Sequence, residues 1–113
     1  METKIEIKSV FGSVLFELEK EDNTIKDTLI EAIKSSADLC DADLRSADLC
    51  GADLRNADLY AANLCDANLR NANLSDADLH GANLHGANLY NADLSDANLS
   101  AIVTGKQIGR AHV

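Results

Sequence analysis

Proline and tryptophan are absent from this chain of 113 residues, and phenylalanine and tyrosine contribute only two residues each. The hydrophobic fraction is nevertheless 46%, most of it alanine and leucine. A folded core must therefore be aliphatic and regular, without large aromatic side chains. At this length we expect a single domain.

Long apolar runs are missing as well. No stretch is long enough to cross a membrane, and the first residues, Met1 to Ile7, contain no apolar signal-peptide core. We therefore expect neither a signal peptide nor a transmembrane span. The three cysteines, an odd number, suit a reducing compartment, which predicts a cytoplasmic location.

Sequence motifs of catalysis are also absent. The chain has no phosphate-binding P-loop, no dinucleotide-binding fingerprint and no nucleophile elbow. Its net charge of −9 argues against direct binding of nucleic acid. We predict a protein that is not an enzyme, with no catalytic residue, cofactor or metal.

What the chain does have is a five-residue repeat. From Ala37 to Ala101, thirteen consecutive units read Ala, Asp or Asn, Leu and two variable residues. Five residues advance an α-helix about 140° beyond a full turn, so the leucines would form no stripe. An odd period would also send alternate leucines to opposite faces of a flat strand. The chain must instead turn once in every pentad, with Ala and Leu inward and the variable residues at the corner.

These units resemble a known family. The runs Ala-Asp-Leu-Arg-Ser at 42–46, Ala-Asn-Leu-Cys-Asp at 62–66 and Ala-Asn-Leu-Ser-Asp at 72–76 are similar to the pentapeptide-repeat consensus. The resemblance covers residues 37–101 and implies an all-β solenoid. In that family the fold is a right-handed quadrilateral β-helix with four pentads in each coil, which implies about three coils here.

Residues 1–36 follow a different pattern and are expected to cap the solenoid. Residues 4–8 and 14–18 alternate polar and apolar side chains around Gly12 and Ser13, which predicts a β-hairpin. A helix is predicted over 24–35, with Thr24 as N-cap and Asp27 at the third helical position. Its apolar face is predicted to comprise Ile25, Leu29, Ala32 and Ile33.

Residues 102–113 form a tail without the repeat, and we predict that it is disordered or artefactual. The codons that can encode Ile108 to Val113 resemble the start of a sequencing adapter, so we expect the natural protein to continue past about residue 106. The alternative is a genuine disordered tail. Because nothing in this tail predicts a cap, we expect the C-terminal coil to fray, form a homodimer or associate end to end.

Residues twenty apart should stack, which sorts the pentads into four faces. Face one comprises residues 37–41, 57–61, 77–81 and 97–101. The first pentads of faces two, three and four are 42–46, 47–51 and 52–56, and each face gains another pentad every twenty residues. Faces one and four each carry four aspartates, opposed by no cation on face one and by Arg55 on face four. We predict an acidic binding edge formed by Asp38, Asp41, Asp58, Asp78, Asp53, Asp76, Asp93 and Asp96. The alternative is a solvated surface that only keeps the protein soluble.

The cysteines and histidines offer a weaker hypothesis. Cys65 should lie one coil below His85, and Cys40, Tyr60 and His80 should form a column on face one. A closed zinc site needs four ligands, and a catalytic pair needs a pocket, so this arrangement favours neither. Because the three cysteines fall on three faces, no intramolecular disulfide is expected.

The leading functional prediction is a non-catalytic scaffold, bacterial or from a phage, that acts through its surface on an unknown protein partner. The alternative is an acidic DNA mimic that modulates DNA gyrase or another DNA-binding enzyme, as some members of the resembled family do. A stack about 16 Å tall would match roughly nine or ten DNA charges. This chain departs from those members because it lacks a central aromatic position, a loop that interrupts the repeat and a C-terminal dimerisation segment.

Overall fold

The structure is a computed structural model that describes residues 1–105 and the backbone of 111–112. Its regular elements are β1 (Glu2–Lys8), β2 (Val14–Glu21), α1 (Ile25–Lys34), β3 (Ala92–Asp93) and β4 (Ala111–His112). Between α1 and β4, the repeat forms a stack of short bridged segments joined by tight turns. This stack displays the predicted site.

β1 and β2 form the predicted antiparallel hairpin. Ile5 pairs with Leu18 and Ile7 with Phe16, so the apolar positions of both strands share one face. The turn closes with Gly12 N donating to Ser9 O at 2.9 Å. Gly12 has a φ of 96°, a conformation that glycine adopts without steric cost.

α1 begins at the predicted N-cap, since Thr24 Oγ1 accepts a hydrogen bond from Asp27 N at 3.0 Å. Leu29 and Ala32 are fully buried, as predicted from the apolar pattern. Thr28 is also fully buried, and its hydroxyl donates to Asn23 Oδ1 at 3.1 Å. Within the described part of the chain, no helix is long and apolar enough to cross a bilayer.

Parallel backbone bridges connect residues twenty apart, and we call each set of four consecutive pentads a coil. On face two, Leu44 N donates to Asn63 O and Asn63 N donates to Ala42 O, both at 2.8 Å. The same pattern recurs on the other faces. The bridged series are 43-63-83-103, 48-68-88, 53-73-93 and 58-78-98.

Leucine and alanine fill the interior of the stack. The twelve repeat leucines from Leu39 to Leu94 are at most 6% exposed, which confirms their predicted inward orientation. Each buried leucine contributes about 1.5–3 kcal/mol. At the ends, Ala37, Ala97 and Leu99 also pack against this core but are only partly buried, because they border the first and last layers.

The hairpin joins the first coil through main-chain hydrogen bonds. Ser9 forms an antiparallel bridge with Ala42. Ile7 and Leu29 belong to the same hydrophobic cluster as the leucines of the coils. The hairpin and α1 therefore cover apolar surface that the first coil would otherwise expose to water.

At the other end, the ladder continues two residues past the repeat. Val103 bridges Asn83, although valine replaces the usual Asp or Asn. The disorder of the tail stays a prediction. The backbone of Ala111–His112 pairs in parallel with Ala92–Asp93. The physical reason is that a strand edge offers N–H and C=O groups to any extended segment. Residues 106–110 and 113, on which the rest of that prediction falls, lie outside the described residues.

Candidate interaction surface

Each pentad ends in a residue with a positive φ, between 57° and 72°. The N–H of the following residue donates to the preceding leucine carbonyl, as Ala62 N does to Leu59 O at 3.0 Å. A positive φ at the third residue of such a turn is the type II arrangement, which favours Gly and Asn. These corner residues are Asp41, Ser46, Gly51, Asn56, Ala61, Asp66, Asn71, Asp76, Gly81, Gly86, Asn91, Asp96 and Ala101.

The Asp or Asn of each pentad has a structural role that the sequence analysis missed. Its Oδ1 accepts a hydrogen bond from the backbone N–H two residues later, at 2.9 to 3.5 Å. The signal was available, because Asp and Asn before a turn commonly make this bond. The acceptors are Asp38, Asp43, Asp48, Asp53, Asp58, Asn63, Asn68, Asn73, Asp78, Asn83, Asn88, Asp93 and Asn98. Since both residue types serve, the fold requires an oxygen here and not a charge.

Face one retains its full negative charge. Asp38 and Asp58 are exposed, Asp78 is half-buried, and Asp41 occupies the corner towards face two. Within residues 1–105, no lysine or arginine forms an ion pair with any of these four aspartates. The structure therefore brings this half of the predicted edge together as an uncompensated acidic surface.

Face four is partly compensated. Arg55 donates from Nε and Nη2 to the two carboxylate oxygens of Asp53, both at 2.8 Å, and these bonds hold the pKa of Asp53 below its usual value. Ser95 Oγ donates to Asp93 Oδ1 at 2.5 Å. Asp76 and Asp96 lie at the corner between face four and face one. The predicted acidic edge therefore has two parts. The aspartates of face one have no cationic partner among the described residues, whereas face four includes the ion pair of Asp53 with Arg55.

Face two carries one ion pair, and the charged groups of face three contact uncharged side chains. Arg45 contacts Asp43 at 2.8 Å on face two. On face three, Arg70 lies 5.0 Å from the centroid of the Tyr90 ring, one coil away. Asn68 Nδ2 donates to Asp48 Oδ1 at 3.3 Å. The two contacts on face three confirm that side chains twenty residues apart stack.

Two of the three residues predicted to form a column on face one, Tyr60 and His80, are in contact. The Tyr60 and His80 rings stack with centroids 5.0 Å apart and planes inclined by 27°. The Tyr60 side chain remains 45% exposed. An aromatic surface therefore lies in the middle of the acidic face.

Cys40 is the third member, and it lies between two carboxylates. Potential ligand atoms of Asp38, Cys40 and Asp58 are within 4.8 Å of one another. The hydrogen bond to Asp38, burial and the charge of Asp58 raise the pKa of the Cys40 thiol to about 12, so it stays protonated at neutral pH. Three donors, two of them on exposed residues, fall short of the four that a closed zinc site uses.

Cys65 also lies beside a carboxylate. Its Sγ lies 3.7 Å from Asp66 Oδ2, and burial, followed by the charge of Asp66, raises its pKa. The cavity beside it, of about 560 Å³, is lined by Asp43, Arg45, Ser46, Cys65 and Asp66. A raised thiol pKa opposes the thiolate that nucleophilic catalysis and metal ligation need.

Three solved structures of pentapeptide repeat proteins resemble the chain. One, from the cyanobacterium Cyanothece 51142, is 39% identical over 63% of this chain and 46% of its own, with a TM-score of 0.44. A second, from the thylakoid lumen of Arabidopsis thaliana, is 31% identical over 60% and 51%, with a TM-score of 0.42. The third is HetL, which is involved in heterocyst differentiation regulation in Nostoc sp. strain PCC 7120. It is 40% identical over 66% and 37%, with a TM-score of 0.34. The chain spans about half the length of these proteins or less.

No curated protein shows a significant match to the sequence. The family described as pentapeptide repeats matches in eight copies over residues 35–71 and 62–100, which together are more than half of the chain. The inward leucines and alanines, the turn in every pentad and this match agree. The chain belongs to the pentapeptide-repeat family.

Proposed function

We propose that the chain is a non-catalytic scaffold that binds another protein on its outer faces. One observation carries this proposal: every pentad needs an oxygen from its Asp or Asn, but the fold does not fix the charge there. The pattern of charges on the faces is therefore free to serve recognition. We further propose that the four ladders close into a right-handed quadrilateral β-helix of about three coils, as the family implies.

The partner we propose is a protein, encountered in the cytoplasm of a bacterium or of a bacterial cell infected by a phage. The net charge of −9 supports a protein partner rather than nucleic acid. We propose no membrane contact. The C-terminal coil is the proposed point of any homodimeric or end-to-end association, which the 52% exposure of Val103 and the partial exposure of Leu99 support.

A retention experiment tests the scaffold. The immobilised chain is compared with variants that change only outer side chains, namely Asp58→Asn with Asp78→Asn on face one and Arg70→Gln with Tyr90→Ser on face three. The scaffold proposal predicts that at least one variant loses a protein that the unmodified chain retains, at unchanged melting temperature. If the unmodified chain and both variants retained the same proteins to the same extent, this result would contradict the scaffold proposal.

A second candidate is an acidic DNA mimic that modulates DNA gyrase or another DNA-binding enzyme. The supporting observation is the column of aspartates on face one, together with Asp76 and Asp96 at the adjoining corner. A supercoiling assay with gyrase distinguishes the two candidates. The DNA mimic alters supercoiling in proportion to its concentration, and the face-one variant loses this effect, whereas the scaffold leaves supercoiling unchanged.

A further inference from the structure

We infer that face one and the tip of the hairpin form one docking surface for a basic protein segment that carries arginine and an apolar anchor side chain. The inference rests on the proposed scaffold function and names both the face and the chemistry of the partner. Four features of the described residues support it: the position of the tip, its exposed apolar side chains, the uncompensated carboxylates and the aromatic stack.

The direction of β1 places the hairpin tip beside face one. Asp43 N donates to Lys8 O at 2.7 Å, and Val10 N donates to Asp41 O at 2.8 Å. The chain therefore runs from face two to the corner at Asp41, where face one meets face two. Phe11 directly follows Val10 and so lies next to this corner.

The tip displays apolar side chains on an ordered turn. Phe11 is 82% exposed and Val10 is 42% exposed. Ser9 Oγ accepts hydrogen bonds from Phe11 N at 3.1 Å and from Ser13 N at 3.2 Å, which fixes the backbone of the turn. A phenylalanine so exposed contributes little to the hydrophobic core. Aromatic side chains are enriched in protein interfaces, where they act as anchors.

The fold does not require the negative charge of face one. Asn98 occupies the same column as Asp58 and Asp78, and its Oδ1 accepts from Ser100 N at 3.0 Å as the aspartates accept from their own turns. Asparagine would therefore complete every turn of face one without charge. Stacked aspartates repel one another, which destabilises the free protein. A bound cationic partner would be attracted to the same carboxylates and would offset this repulsion.

The aromatic stack favours arginine among cationic side chains. The Tyr60 ring is stacked on His80 and lies in the same pentad as Asp58. A guanidinium group packs flat on a tyrosine ring and donates several hydrogen bonds in its plane to carboxylates. A lysine ammonium group lacks this planar geometry. The surface therefore fits an arginine more closely than a lysine.

Charge excludes the other obvious occupants. A second copy of this chain carries the same net charge of −9 and would be repelled from face one. Nucleic acid would be repelled for the same reason. A basic segment with an apolar residue next to its arginines complements both the carboxylates and the hairpin tip.

The test uses three short labelled peptides and fluorescence anisotropy. The first peptide combines arginine with leucine, the second replaces arginine by lysine, and the third replaces it by glutamate. We expect the arginine peptide to bind, the lysine peptide to bind several-fold more weakly and the glutamate peptide not to bind. Absence of binding by the arginine peptide at low salt would overturn the inference.

Matched variants locate the binding surface. Changing Asp38, Asp58 and Asp78 to Asn should weaken binding of the arginine peptide about tenfold, and Phe11→Ser should weaken it about fivefold. The control changes Asp43, Asp48 and Asp53 to Asn, which removes the same charge from the same position of the pentad on the other three faces. It should weaken binding less than about twofold.

Equal losses from the two triple variants would overturn the inference in favour of a general charge effect. No loss from Phe11→Ser would exclude the hairpin tip and would also overturn it. A dimer in sedimentation that the face-one triple variant abolishes would identify a second copy as the occupant, against the inference. If the face-one triple variant still retains the partner found in the retention experiment, the inference fails while the scaffold function stands.

Discussion

Asp58 and Asp78 are joined by a backbone bridge on face one, so their carboxylates leave the stack on adjacent coils. On face three the equivalent pair is Asp48 and Asn68, whose amide donates to the Asp48 carboxylate at 3.3 Å. The two pairs share one backbone arrangement, but the side chains of Asp58 and Asp78 repel each other, whereas those of Asp48 and Asn68 attract each other. A comparison of these pairs therefore measures the electrostatic cost of the acidic face.

We predict that Asp78→Asn stabilises the protein. Two like charges about 4.8 Å apart repel by about 0.9 kcal/mol in water before screening by salt. Asparagine keeps the oxygen that accepts from His80 N at 3.0 Å. The free energy of unfolding in urea should rise by about 0.5 kcal/mol at low salt, and the gain should disappear at high salt.

The control for this prediction is Asp48→Asn. This change removes the charged acceptor of the Asn68 amide, so it should leave stability unchanged or lower it slightly. A gain of the same size as that of Asp78→Asn would indicate that net charge, and not the contact between Asp58 and Asp78, limits stability.

Most of the interior could be predicted from the sequence because the repeat fixes it locally. A leucine in every pentad, with a turn in between, leaves only one way to bury all leucines, and Leu39 to Leu94 are buried. Thr24 was predictable as N-cap because its bond to Asp27 N spans three residues. Buried Thr28 was not, because its role depends on the position of Asn23 in the folded chain.

The ends and the surface were harder to predict because they depend on contacts that no short pattern encodes. Val103 joins the ladder through its backbone, which residue identity does not reveal. The columns of aspartates follow from the repeat, and so their positions were predictable. The contact of Val10 with Asp41, which brings the hairpin tip to the corner between faces one and two, depends on how the hairpin docks.

We predict that Ala61→Gly and Ala61→Asn each stabilise the protein. Ala61 has a φ of 57°, a left-handed conformation that costs residues with a Cβ roughly 1–2 kcal/mol. Glycine removes this cost but adds flexibility to the unfolded chain, so the net gain should be about 0.5–1 kcal/mol. Asparagine tolerates the conformation better than alanine and should give a similar gain. Thermal unfolding of the variants measures both effects.

The reverse change, Gly51→Ala, provides the control. Gly51 has a φ of 71°, and a Cβ added there would meet no atom within 4 Å. Its cost is therefore conformational and should be about 1 kcal/mol. If Gly51→Ala were neutral, the corner conformations would not limit stability, and the explanation for Ala61 would fail.

We predict that Leu64→Ala lowers the free energy of unfolding by about 2–5 kcal/mol, because the stacked layers cannot collapse around the cavity. Leu64 is fully buried in the middle coil. Ser75→Ala and Arg45→Ala, on the outer surface, should each cost less than about 0.5 kcal/mol. Urea unfolding measures all three. Comparable losses for the inner and outer positions would contradict the assignment of leucine to the core.

The last prediction concerns the reactivity of Cys40. The hydrogen bond to Asp38, burial and the charge of Asp58 raise its pKa to about 12, and only the thiolate reacts with alkylating reagents. In a variant that retains only this cysteine, with Cys50→Ser and Cys65→Ser, alkylation should be slow at pH 8. Its rate should still be rising at about pH 10, because the thiol has not finished losing its proton.

Adding Asp38→Asn and Asp58→Asn should lower this pKa, because the two charges that disfavour the thiolate are removed. The asparagine side chains keep the oxygens that accept from Cys40 N and Tyr60 N. Alkylation at pH 8 should then accelerate at least about tenfold and reach its plateau at a lower pH. Unchanged circular dichroism would show that the coil is intact. If the rate stayed the same after both substitutions, burial alone would account for the slow reaction, and the carboxylates would not control the Cys40 proton.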